Sequence, residues 1–166
     1  MKKRLLLAAL ALALAAACLA GCGVASEEKA VAKALGLEKL PAVTHISSYD
    51  SHGGFHGDGV SCIALTFEDD QLEQQLAADP AWNSLPADET VQALVWGVED
   101  GTGSTGPYLT DGDGKLLVPP VAAGCYRLID RHSDQQGDIL SRGSFNFTVG
   151  VYDAEARVLY CCELDT

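Results

Sequence analysis

Four histidines are the first residues in this chain whose chemistry invites attention: His45, His52, His56 and His132. Three of them lie close together beside Asp50 and Asp58, and the fourth closes Asp130-Arg131-His132. Imidazole nitrogens and carboxylates bind zinc and similar divalent ions, and a glycine-rich loop lets such side chains converge. The site reading is a metal held by His52, His56, Asp58 and His132. The competing reading is a polar connection in which Gly53, Gly54 and Gly57 supply positive φ and Asp58-Gly59 shapes a turn. His52 and His56 stand four apart, as ligands do on a helix, but Gly53 and Gly54 lie between them. The glutamate of the zinc-protease motif is also missing, with Gly53 in its place. We weight the turn above the metal site and expect no cofactor beyond that one candidate divalent ion.

Other chemistry-bearing patterns are weaker. Asp111 and Asp113 open like a calcium loop, but the twelfth position is Ala122 where a bidentate glutamate belongs. The spacing suits a tight hairpin turn better. Ser104 sits among glycines without the Gly-x-Ser-x-Gly spacing, and no strand leads into it. Neither a phosphate-binding loop nor a dinucleotide fingerprint occurs. Arg131 and His132 read as a salt-bridged strand end in preference to a ligand site. We therefore assign no catalytic residue and no organic cofactor, and lean against an enzyme.

Cys62, Cys125, Cys161 and Cys162 all fall in strand-like runs. Cys161 and Cys162 are adjacent, so in a strand they point to opposite faces and are poorly placed to bond each other. Four cysteines allow three pairings, and the sequence does not choose among them. No Cys-x-x-Cys spacing occurs. We weight buried free thiols above disulfides, because cysteine is among the most buried residue types.

The elements that must position these residues are mostly strands. Ala42 to Tyr49 and Val60 to Phe67 flank the histidine loop, and Ile63, Leu65 and Phe67 alternate with Cys62, Ala64 and Thr66. Asp69 or Asp70 can cap a helix carrying Leu72, Leu76 and Ala77 that ends before Pro80. Trp82 and Leu85 read as hydrophobic plugs in a turn-rich link. Asp88-Glu89-Thr90 opens a run that we read as a short helix. Residues 98–123 read as a long loop holding a small hairpin at Asp111-Gly112-Asp113-Gly114. Cys125 to Arg131, Ser144 to Tyr152 and Arg157 to Leu164 read as three strands of an antiparallel meander. The expected fold is a single α+β domain, an antiparallel sheet with one to three short helices on one face.

The two ends of the chain set its address. Met1-Lys2-Lys3-Arg4 is a positive start, and Leu5 to Ala17 is an unbroken Leu/Ala run, shorter than the roughly 20 residues of a spanning helix. Leu19-Ala20-Gly21-Cys22 then resembles the lipobox of bacterial lipoproteins. That resemblance implies cleavage before Cys22, lipid on its sulfur, and anchoring to the extracytoplasmic face of a cell membrane; two acyl chains hold stably where one does not. Residues 1–21 would be the signal peptide, 22–40 the lipidated N-terminus and tether, and 41–166 the globular domain. Within the tether, Ser26, Glu27 and Glu28 begin a short helix with Ala30, Val31, Ala34 and Leu35 on one side and Gly36 as its stop. Whether it packs on the domain is open. Fully extended, the tether reaches about 65 Å.

The whole chain carries 23 acidic against 11 basic residues, a net charge of −12. Loss of Lys2, Lys3 and Arg4 makes the processed chain more acidic still. Such a chain lacks the basic footprint that nucleic acid demands. Its excess acid serves solubility at a crowded surface.

His52-Gly53-Gly54-Phe55-His56-Gly57-Asp58-Gly59, Asp130-Arg131-His132, Ser144-Phe145-Asn146-Phe147-Thr148 and Tyr160-Cys161-Cys162-Glu163-Leu164-Asp165-Thr166 together resemble small uncharacterised lipoproteins of gut-dwelling, mostly Gram-positive bacteria. The resemblance spans roughly residues 45–166 and implies a shared fold without a known activity. It also implies aromatic residues at the positions of Cys161 and Cys162, which counts against a disulfide role for them. The expected protein is a membrane-anchored, non-catalytic binding module whose protein or small-molecule partner is unassigned. The alternative is a metal-binding protein or metal-dependent enzyme built on the histidines.

Overall fold

The computed structural model describes residues 26–53, 57–101 and 103–166. Cys22 and the signal-like segment lie outside these residues, as do His56 and its neighbours Gly54 and Phe55. Among the described residues no helix is long and apolar enough to cross a membrane.

The first helix, α1, covers residues 26–34. Gly36 stops it at φ +63°, a left-handed conformation that glycine adopts without strain. Leu37 N–H then donates to Ala32 O and Gly36 N–H to Lys33 O, the paired bonds of a Schellman ending. Val31, Leu35 and Leu37 are buried, so α1 packs on the domain and belongs to its core.

The strands follow: β1 (Val43–Asp50) and β2 (Gly59–Phe67). After them come α2 (Gln71–Ala78), the two-residue β3 (Asn83–Ser84) and α3 (Glu89–Val95). Asp69 accepts from Gln71 N–H at the head of α2, whereas Asp70 makes no side-chain cap. Asp88 caps α3 by accepting from Val91 N–H at 2.9 Å, which confirms the helical reading of that run. The short strands β4 (Val98–Asp100) and β5 (Gly103–Thr105) pair as a separate hairpin. Asp111 to Gly114 is the expected tight turn, closed by a bridge between Thr110 and Leu116. The chain ends with β6 (Gly124–Asp130), a 3-10 turn (Ile139–Ser141), β7 (Asn146–Asp153) and β8 (Val158–Asp165).

Six strands form one antiparallel sheet in the order β1-β2-β8-β7-β6-β3. The architecture is α+β, and β6-β7-β8 is the expected meander. The expectation of one covered face is corrected: both faces are buried along the central strands β7 and β8. Phe147, Val149, Val151, Cys162 and Leu164 join α3's Val91, Leu94 and Val95 in one core. Tyr152, Leu159, Cys161, Leu65 and Phe67 join Val31, Leu35, Leu72, Leu76 and Trp82 in another. Side chains alternate across a strand, so these two groups lie on opposite faces. The physical reason is visible in β7, where Phe147 to Tyr152 are buried without a break. A strand covered on both sides reads as a continuous apolar run, and alternation ceases to mark its inner face.

The weighting toward free thiols is corrected in part. Cys62 and Cys162 are directly opposed in the β2–β8 register and joined by a disulfide, while Cys125 and Cys161 are free. The adjacent pair Cys161-Cys162 is split between faces, as adjacency in a strand requires.

Candidate functional site

One end of the sheet gathers most of the chemistry-bearing residues, because antiparallel pairing brings the end of β1, the start of β2, the end of β8 and the start of β7 together. The register pairs Gly59 with Asp165 and Asp165 with Asn146. His52 follows β1 directly. Its N–H donates to Asp50 Oδ1 at 2.8 Å, and its ring Nδ1 lies 2.7 Å from the same oxygen. The backbone N–H and the ring of His52 hold the exposed Asp50 carboxyl below its ordinary pKa. On the other side, His52 Nε2 is 3.5 Å from Asp165 Oδ2.

Asp165 is also held by Arg131, whose Nη2 lies 2.9 Å from Oδ1 and donates to Phe147 O. The salt-bridged strand end expected for Arg131 is therefore present. Next to it, His132 N–H donates to Asp130 Oδ1, and His132 Nε2 is 3.1 Å from Ser144 Oγ. His132 Nδ1 faces the backbone of Asp134. Asp130 accepts from Arg142 Nη1 at 2.6 Å. Burial raises the Asp130 pKa, but the Arg142 and His132 hydrogen bonds outweigh it and hold the carboxyl below its usual value.

The three candidate ligands among the described residues lie apart. His52 sits in the Asp50–Asp165 bracket, His132 in the Asp134–Ser144 loop, and Asp58 is exposed before β2. His56 lies outside the described residues. Among those residues no set of three His, Cys, Asp or Glu is placed to hold a metal ion. The Arg131 guanidinium already pairs with Asp165, and its charge opposes a second cation at that carboxylate. His45 is exposed on β1.

Sequence reasoning missed Asp165 and Arg142, which complete these ion pairs from the C-terminal strand and from the 3-10 turn. The available signal was charge alone: Asp165 ends the last strand, and Arg142 lies twelve residues from Asp130. Away from this end, an open groove of about 350 Å³ is lined by Leu85, Pro86, Trp96, Leu116, Pro120 and Val121. Trp96 Nε1 donates to Pro119 O beside it. Leu85, expected as a plug, lines this groove, whereas Trp82 is buried in the second core.

Of the two free thiols, Cys161 is buried and Cys125 is half-buried. Burial, aided by Glu73, pushes Cys125 up to about 12. Burial, aided by Glu163, does the same for Cys161. Neither has the depressed pKa of a nucleophilic cysteine. The chain matches no protein-family model, no curated protein and no solved structure.

Proposed function

We propose that this chain is an exported lipoprotein, anchored to the extracytoplasmic face of a cell membrane through lipid on Cys22, whose domain binds a partner without catalysing a reaction. The observation that carries the compartment is the Cys62–Cys162 disulfide, which ties β2 to β8 across 100 residues of chain. Such bonds persist where the surroundings are oxidising. The signal-like start and the Leu19-Ala20-Gly21-Cys22 motif point to the same side of the membrane.

Packing of α1 shortens the reach of the anchor. α1 begins at residue 26 and carries Val31 into the core, so residues 22–25 join it to the anchor, and four residues reach at most about 14 Å. The domain works close to the bilayer. At the polar end of the sheet, Asp50 faces His52, Asp165 faces Arg131 and Asp130 faces Arg142. These groups hold strand ends together, which favours a rigid binding scaffold over an acid–base centre.

Intact-mass measurement of the native protein tests the anchor: a diacylglyceryl group on an N-terminal Cys22 is expected. An intact Met1, or an unmodified residue 22 in a soluble product, overturns it. Crosslinking on intact cells tests the binding role, and turnover of a substrate by the purified protein would replace it with an enzyme.

The metal-binding reading stands second. What favours it is His52, whose two ring nitrogens face the carboxylates of Asp50 and Asp165. Elemental analysis decides it: a transition metal below about a tenth of an equivalent, with affinity unchanged in His52→Ala, removes it.

A further inference from the structure

The sheet has two unlike edges. At one, β3 is only two residues long; at the other, β1 offers eight residues with β2 on one side and no described segment on the other. Ser51 N–H donates to Val60 O, toward β2. Backbone groups alternate in direction along a strand, so Tyr49, Ser47 and His45 also face β2. The N–H and C=O groups of Ile46 and Ser48 therefore point away from the sheet.

An open row of this kind templates another strand, and proteins commonly blunt it with lysine or proline. β1 carries neither, and its one formal charge is Asp50 at the far end. Acidic residues flank its C-terminal half instead. Ser48 Oγ donates to Glu27 Oε1 on one face. Asp50 has two-thirds of its side chain in solvent. On the other face, a Cβ built on Gly112 would lie 3.9 Å from Tyr49 Oη, which brings the Asp111–Asp113 turn to the tip of the Tyr49 side chain. Lys115 is the one base of that turn.

We propose that the outer edge of β1 takes up an extended basic peptide segment as an added antiparallel or parallel strand. Main-chain bonds to Ile46 and Ser48 give the affinity, and Lys or Arg side chains on the added strand meet Glu27, Asp50 and the Asp111–Asp113 turn. A second copy of this chain is a poor occupant, because it would bring a net charge of −12 against its like. The inference rests on reading the domain as a binding module and adds the surface and the partner's chemistry.

The probes are two twelve-residue peptides, one repeating lysine-lysine-valine-valine and one repeating glutamate-glutamate-valine-valine, which present charge on both faces of an added strand, added to the full protein in detergent. The lysine peptide is expected to shift the amide resonances of Ile46 and Ser48 and to slow their exchange with solvent about tenfold or more. Ile46→Pro and Ser48→Pro each remove an outward N–H without breaking the β2 ladder. Each should weaken binding about tenfold or more while circular dichroism stays unchanged. Should either variant fail to fold, the resonance mapping on the unsubstituted protein decides alone. The proposal is overturned if the glutamate peptide binds equally, if both proline variants fold and bind the lysine peptide as before, or if the shifts map away from β1. It also falls if sedimentation shows a dimer that Ser48→Pro dissolves, or if the lysine peptide does not bind at millimolar concentration. If the peptide fails but crosslinking on cells still captures a partner, this inference alone falls and the binding reading stands.

Discussion

Gly150 and Trp82 are in contact across the middle of the sheet: a Cβ on Gly150 would stand 2.6 Å from Trp82 Cη2. The same atom would lie 2.8 Å from Leu35 Cδ2. A glycine in a central strand ordinarily weakens it, and here it admits the indole and Leu35, just past the end of α1, onto the sheet surface. Gly150→Ala is expected to destabilise the fold by about 1–3 kcal/mol through overpacking, and Gly150→Val by more. Urea unfolding followed by Trp fluorescence measures it; an unchanged midpoint for Gly150→Val would show that Trp82 does not pack there.

The place of α1 follows from the same contact. Leu35 is fully buried, and its carbonyl accepts from Arg127 Nη1 at 3.0 Å. Leu35→Ala should cost about 2–5 kcal/mol. A helix that served only as a tether would tolerate the change with no loss, so thermal unfolding separates the two.

The cysteines divide sharply in behaviour. The Cys62–Cys162 bond closes 100 residues of chain, and replacing both with alanine should lower stability by about 2–5 kcal/mol. Cys125 and Cys161, with thiols pushed up to about 12, stay protonated at pH 8. Iodoacetamide should label neither in the native protein and both after denaturation. Native labelling of Cys161 read by peptide mass mapping would contradict its burial.

Asp130 sets an acid limit on the loop after β6. Its folded pKa is depressed by Arg142 and the His132 N–H. The stability it contributes is therefore present above the ordinary carboxylate value of about 3.9 and is lost as pH falls through the lower, folded value. Asp130→Asn should be less stable than the unsubstituted protein at pH 6, with the gap closing below about pH 4. A gap that persists at pH 2 would assign the loss to packing.

Local pattern carried much of the architecture. The caps at Asp69 and Asp88, the stop at Gly36 and the alternation of Ile63, Leu65 and Phe67 placed α1, α2, α3 and β2 within a few residues. These are near-neighbour effects, and they need no knowledge of the rest of the chain. β4 and β5 were less legible, since three residues each are too few for a period to show. The His52 bracket was half legible: Asp50 is two residues away, but Asp165 arrives only through the β2–β8 register.

The chain alone determined the order and type of its longer elements, the turn at Asp111, the acid balance and the lipobox-like motif, all of which are written in spacing and composition. Only the tertiary structure decided that both faces are covered along the central strands, that Cys62 meets Cys162, and that His52 and His132 have separate partners. Those outcomes depend on strand order. Pairing β2 with β8 joins residues 100 apart, and no local periodicity records which strand lies beside which.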